Sequence, residues 1–152
     1  MNGSSPMRRC ALVCLAAAVF AVAGCGGGKL VKVKGKLVLP PKVQLEEKDS
    51  LQVSFTSIAA GDKPLNTAAN VDHSALTFTI NGPEGKGVPP GKYQVDVTCT
   101  PYAGEPKAME RKKTLDALFA PFNGGKSQLT VELSGDAEQT VTVDLEKKNV
   151  GK

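Results

Sequence analysis

KYQVDVTCT, residues 92–100, is the stretch of this 152-residue chain that decides its fold. Apolar and polar side chains alternate along it, so the apolar ones share one face and the polar ones the other. A period of two predicts a β-strand with one buried and one solvated face. The preceding Pro89-Pro90-Gly91 predicts a type II turn, in which Gly91 takes a positive φ and fixes the register of the strand.

Five other segments alternate in the same way, and turn-forming residues separate them. The short connection Ser134-Gly135-Asp136 predicts a hairpin between the last two strands. One segment, residues 106–120, has no period of two; it predicts a short helix over residues 114–119, with its N-terminal extension left open, packed over one end of the sheets. The apolar stripe of this helix is Met109, Leu115, Leu118 and Phe119. The alternating segments are residues 30–39, 51–57, 75–80, 128–134 and 140–146.

This pattern predicts an all-β fold: a two-sheet antiparallel sandwich of the prealbumin-like or Ig-like kind, with about seven strands and one short helix. The alternation places Cys99 on the same face as Val95 and Val97, so its thiol is expected to be buried. We expect it to be reduced and unpaired, because Cys10 and Cys14 lie in the apolar N-terminal stretch described next.

The N-terminus has the pattern of a signal peptide. Arg8 and Arg9 precede an uncharged stretch, residues 10–23, which is too short to span a bilayer and ends in Val22-Ala23-Gly24-Cys25. That ending resembles the lipobox of bacterial lipoproteins, which implies that Cys25 carries the lipid. The alternative is an ordinary cleaved signal with a Cys by chance. The lipobox interpretation divides the chain into a signal-peptide helix (residues 1–24), the lipid anchor with its glycine tether (25–29) and the sandwich domain (30–148).

Composition restricts the possible partners. Without the signal peptide the chain carries 17 basic and 15 acidic side chains, and no dense basic patch with aromatics predicts nucleic-acid binding. Lys29, Lys32, Lys34 and Lys36 form a positive stripe along the first strand. The stripe indicates a lysine-protected edge strand; the alternative is contact with anionic headgroups.

No residue pattern predicts an enzyme, a cofactor or a metal site. The single histidine, His73, is expected in a loop before a strand, without the third group that orients a catalytic histidine. Glu46, Glu47 and Asp49 lack the regular spacing of a calcium loop, so we expect a solvated acidic loop. A sugar site would need an exposed aromatic ring, and Tyr102 is the one candidate that the alternation leaves outside the core.

Two sequence motifs and the first strand resemble known families. Residues 87–95, GVPPGKYQV, resemble the G-[ILV]-P-P-G-x-Y-x-V turn and strand of carboxypeptidase-regulatory-like and Cna-B-like (prealbumin-type) domains. Residues 119–133 are similar to a motif of small planctomycete-type lipoproteins, with Phe122 in place of its tyrosine, and residues 33–37, VKGKL, resemble the V-x-G-x-V opening. The resemblance implies a lipid-anchored envelope β-sandwich without an established chemistry. The Lys–Asn cross-link of Cna-B domains is not expected, because the lysines of the first strand face outward and Asn149 lies beyond the core.

The sequence therefore predicts a non-enzymatic envelope lipoprotein, which serves as a structural or protein-interaction module. Its partners would be the membrane, through the lipid at Cys25, and an envelope protein. Gly26 stands where enteric bacteria use Asp to retain lipoproteins in the inner membrane, and this analogy predicts the periplasmic face of the outer membrane. The alternative function is a carbohydrate- or small-ligand-binding accessory module, with its site at Tyr102. A groove beside Tyr102 and Gly104 would favour that alternative.

Overall fold

A computed structural model of the chain describes residues 29–58, 64–104 and 106–152. The predicted signal-peptide helix, the lipid site at Cys25 and most of the predicted turn at residues 61–64 lie outside the described residues. Short 3-10 turns at Pro83–Gly85 and Ala120–Phe122 connect some of the longer elements. Those elements are β1 (Lys32–Val38), β2 (Ser50–Ser57), β3 (Asn66–Asn70), β4 (Thr77–Ile80), β5 (Gly91–Thr100), α1 (Ala108–Phe119), β6 (Thr130–Leu133), β7 (Glu138–Asp144) and β8 (Asn149–Gly151).

The described strands form two packed sheets, so the predicted two-sheet sandwich with one short helix is confirmed. One sheet has the order β4-β1-β7-β8 and the other has the order β3-β2-β5-β6. Their inner faces bury a continuous apolar core. At its centre the ring of Phe55 lies 6.3 Å from that of Phe78 in the other sheet and 6.2 Å from that of Tyr93. Aromatic contacts therefore tie the two sheets together.

The period of two corresponds to the burial pattern of the strands. In β5 the side chains of Tyr93, Val95, Val97 and Cys99 are buried, and the residues between them face outward. The strands β3 and β8 are not predicted, because each is short and rich in asparagine or glycine. Since β8 pairs with β7, the sandwich includes residues beyond the predicted boundary at 148.

The predicted hairpin at Ser134-Gly135-Asp136 is wrong. β6 pairs with β5 in one sheet, whereas β7 pairs with β1 and β8 in the other, so this connection crosses between the sheets. Gln139 holds the crossing, since its Nε2 donates to the carbonyl oxygen of Ser134 at 2.7 Å. A short loop does not by itself distinguish the two arrangements, because either one buries the same apolar side chains of β7.

The β1–β7 pair is parallel, and every other pair of named strands is antiparallel. β1 therefore lies between β4 and β7 and is not an edge strand. The hypothesis of a lysine-protected edge is thus wrong for Lys32, Lys34 and Lys36, which instead cover the outer face of an interior strand. Lys34 forms an ion pair with Glu138 of β7 at 2.9 Å, and both side chains are more than half exposed.

The turn before β5 has the expected positive φ at Gly91 but not the predicted type II geometry. Gly91 has a φ of 146°, which is positive but more extended than the ~80° of a type II turn. Tyr93 faces the core, as predicted, and its hydroxyl donates to the carbonyl oxygen of Pro89 at 2.7 Å. The hydroxyl therefore fixes the turn against the strand that follows it.

Helix α1 extends the predicted segment 114–119 toward its N-terminus, because it begins at Ala108. Leu115 and Phe119 are buried and Leu118 packs at the margin of the core, but Met109 is 76% exposed. The predicted stripe is therefore wrong at Met109. At 100° per residue this side chain lies about 120° around the helix from Leu115, off the buried face.

Candidate functional site

Tyr102, the predicted ligand-binding residue, lies just after β5 with its side chain 45% exposed. The ammonium of Lys48 stands 5.2 Å from the centre of its ring, within the range of a cation–π contact. Gly104 lies so close to the ring that a Cβ there would approach it to less than 3.0 Å. The ring thus already has neighbours from its own chain.

An ion pair beneath this loop fixes the helix to the sandwich. The side chain of Asp49 is 0% exposed, and its Oδ2 accepts from the Nη2 of Arg111 on α1 at 2.5 Å. The same carboxylate accepts the backbone N–H groups of Glu46 at 2.8 Å and Tyr102 at 3.1 Å. The Nη1 of Arg111 also lies 3.4 Å from a carboxylate oxygen of Glu46. We call this group the Asp49–Arg111 ion pair.

The ion pair changes the interpretation of the acidic loop. Glu47 is exposed, as a solvated acidic loop requires, but the buried Asp49 contradicts that expectation. Burial by itself favours the neutral acid. The backbone N–H of Glu46, the side chain of Arg111 and the N–H of Tyr102 outweigh it, and they lower the pKa of Asp49. Asp49 is a structural anion, and its oxygens are already occupied by donors of this chain.

Cys99 lies near the same ion pair and is buried and free, as predicted. Burial, with the negative charge of Asp49 next in importance, raises the pKa of the thiol to about 11. Because the thiolate is the nucleophile, little reactive form is present at neutral pH.

We therefore expect thiol reagents to label Cys99 only as fast as the domain opens. Replacing Cys99 by serine places a hydroxyl in the core and should lower the free energy of unfolding by about 1–3 kcal/mol. Labelling rates measured with increasing denaturant, together with urea unfolding of the variant, check both statements. Rapid labelling of the native protein would contradict the burial of this side chain.

Tyr102 lines neither of two surface clefts that lie among the described residues. The larger, of about 490 Å³, lies between the edge strands β3 and β4. We call it the edge cleft. Its lining consists mainly of threonine hydroxyls, asparagine amides and small side chains, with the carboxylate of Asp72. These residues are Thr67, Ala68, Ala69, Asn70, Asp72, Thr77, Phe78, Thr79, Asn81 and Gly82.

The smaller cleft lies between α1 and the loop that connects β1 to β2. It is lined by Lys42, Gln44 and Glu46 on the loop and by residues of α1 that include Arg111 and Leu118. Its polar groups therefore adjoin the Asp49–Arg111 ion pair. The groove beside Tyr102 and Gly104, which would favour the ligand-binding alternative, corresponds to neither cleft.

His73 lies in the tight turn before β4, which is the loop position expected from the sequence. Asp72 shapes this turn, because its Oδ1 accepts the hydroxyl of Ser74 at 2.6 Å and the backbone N–H groups of Ser74 and Ala75 at 2.9 Å. Asp72 is therefore occupied in the turn. Within residues 29–58, 64–104 and 106–152, no three His, Cys, Asp or Glu side chains come together as a metal site would require.

Asp96, on the outer face of β5, is a residue that sequence reasoning missed. Its Oδ1 is buried without a hydrogen-bond partner, and burial raises the pKa of its carboxyl group. The backbone N–H groups of Gly125 and Ser127 partly offset this rise. The alternation assigned Asp96 to solvent. Only the loop before β6, which folds over this face, brings it under cover.

Comparisons with known proteins leave the site to be interpreted on its own geometry. No protein-family model, curated protein or solved structure matches the chain. Among the described residues there is no helix with the length and apolar character needed to cross a membrane.

Proposed function

We propose that this protein is a lipid-anchored module of the bacterial cell envelope and that it acts through protein interaction. The observation that carries the proposal is the ending Val22-Ala23-Gly24-Cys25, followed by Gly26, Gly27 and Gly28. The first core residue after it is Val31, which is fully buried. Only the short segment 26–30 separates a lipid on Cys25 from the folded sandwich, so the domain would be held close to the membrane surface.

The resemblance to prealbumin-type domains of small envelope lipoproteins supports the same function. The residues that carry it have structural roles here, because Tyr93 enters the core and Gly35 lies against an aromatic ring. Residues with such roles stabilise the sandwich fold. They support a protein in which the fold is a scaffold and the exposed surface makes the proposed interaction. The open edge cleft between β3 and β4 supports an interaction role.

Replacing Cys25 by serine is expected to move the protein from the membrane fraction to the soluble envelope fraction. The thiol of Cys25 is the group that would be alkylated with diacylglycerol. Serine differs from cysteine only by an oxygen in place of the sulfur, so the substitution leaves the apolar stretch before it intact. Mass spectrometry of the mature N-terminus should show acylated Cys25 in the wild type. The matched control is Cys14→Ser, within the stretch that is removed. An unmodified N-terminus at Cys25 would refute the proposal.

A further inference from the structure

β3 differs from the other edge strands of the two sheets. Edge strands normally carry charges, prolines or bulges, or are short, which prevents pairing with another chain. β6 has four residues and carries the exposed Glu132, and β8 has three residues between Lys148 and Lys152. In β4 the carbonyl oxygen of Thr77 already accepts the N–H of Asp72 at 2.8 Å. β3, Asn-Thr-Ala-Ala-Asn, has no charge and no proline.

The backbone of β3 presents free hydrogen-bonding groups on its outer side. The N–H of Val71 bonds to β2, and so does the carbonyl oxygen of Leu65, so the odd-numbered residues between them pair with β2. In an antiparallel ladder the intervening residues then point their N–H and C=O groups away from β2. These are Asn66, Ala68 and Asn70, and none of the described residues hydrogen-bonds to their backbone groups. The edge cleft lies beside them, with β4 on its far side, and the free part of this edge ends at Asn70 because the N–H of Asp72 bonds to Thr77 of β4.

We propose that β3 pairs antiparallel with β3 of a second copy of this chain, around a two-fold axis at Ala68. In that register Asn66 faces the partner's Asn70, Thr67 faces the partner's Ala69, and Ala68 faces its own copy. Only the outward-bonding residues exchange backbone hydrogen bonds: Ala68 with its own copy, and Asn66 with the partner's Asn70 twice, once on each side of the axis. The sheet β3-β2-β5-β6 becomes one half of a continuous eight-stranded sheet.

The sequence of β3 favours a second copy over other occupants. The strand is nearly the same when read in either direction, which is what a self-complementary two-fold interface requires. Uncharged side chains meet in every pair, so no like charges oppose each other. The asparagine amides stand opposite each other on the outer face, where each can both donate and accept. A small side chain at the axis, Ala68, lets the two backbones approach.

The pairing does not depend on the lipid anchor, so its test uses residues 25–152 with Cys25→Ser. All core residues of the described part of the chain lie within this segment. Sedimentation velocity over a concentration series should show a monomer–dimer equilibrium. A68K should raise the dimer Kd at least about tenfold, because like charges then stand directly opposite each other at the axis. The matched control, T130K on the edge strand β6, should leave the Kd unchanged.

A charge swap identifies the axis. A68K and A68E are each expected to be monomeric, and an equimolar mixture of the two should dimerise again. Both variants should unfold at the midpoint that the parent chain shows when it is diluted below its dimer Kd, since Ala68 is exposed in the monomer. A parent chain that stays monomeric throughout the series would overturn the proposal. So would a dimer that A68K does not weaken, or a mixture that does not recover.

Discussion

Replacing Asp49 by alanine is expected to lower the free energy of unfolding by about 3 kcal/mol, because removing one partner of a buried ion pair leaves the other uncompensated. The variant also removes the acceptor of the hydrogen bonds that the backbone N–H groups of Glu46 and Tyr102 donate to this carboxylate. We expect the lower end of the usual range, since Arg111 is 19% exposed and keeps Glu46 nearby. Urea unfolding at neutral pH measures the change.

The pH dependence of the free energy of unfolding distinguishes the contribution of this ion pair from that of side-chain packing. Because the pKa of Asp49 is lowered in the folded state, its contribution is complete above the unfolded value of about 3.9 and disappears as the pH falls through the folded value. The difference in stability between wild type and Asp49→Ala should therefore shrink on acidification. The matched control is Glu47→Ala, an exposed neighbour that should change stability little at any pH. A pH-independent difference would contradict a role for the charge.

The second large effect is expected at Gly35. This residue lies in the centre of β1 directly opposite Phe78 of β4, and a Cβ added there would overlap the Phe78 ring. The ring is 4% exposed and packs against Phe55, so it has little space to move. Gly35→Ala should therefore lower the free energy of unfolding by about 3 kcal/mol through overpacking.

The matched control for Gly35→Ala is Gly135→Ala, where an added Cβ meets no atom within 4 Å and φ is not positive. We expect it to be neutral or slightly stabilising, because alanine reduces the freedom of the unfolded chain. Phe78→Leu combined with Gly35→Ala should recover part of the loss, since the ring itself is the obstacle. Equal effects of the two glycine substitutions in thermal unfolding would rule out a steric role for Phe78.

The sequence predicts local features of this fold well and long-range pairing poorly. The alternation in residues 92–100 predicts both strand β5 and the burial of Cys99, because the period of two is a property of the backbone itself. The short connection at residues 134–136 predicts the wrong partner for β7, because pairing depends on β1 at the opposite end of the chain. β3 escapes prediction because it has few apolar side chains to show a period.

The candidate sites show the same limit. The exposure of Tyr102 follows from its place after the last alternating residue, and this much is predictable. Its contact with Lys48 and its bond to Asp49 join segments far apart in the chain, as does the Asp49–Arg111 ion pair. No feature of the neighbouring sequence predicts that Asp49, an acidic residue in a polar loop, is buried. Only the position of α1 over that loop explains it.

The parallel pairing of β1 with β7 has a consequence for how the protein is made. The register joins Lys32 to Glu138 and Val38 to Asp144, so the first strand must wait for residues about a hundred positions later in synthesis. Until those residues appear, β1 has only the four-residue β4 as a neighbour in its sheet. The sheet β4-β1-β7-β8 therefore cannot be completed before residues 138–144 are available, and its closure requires a slow, non-local encounter between β1 and β7.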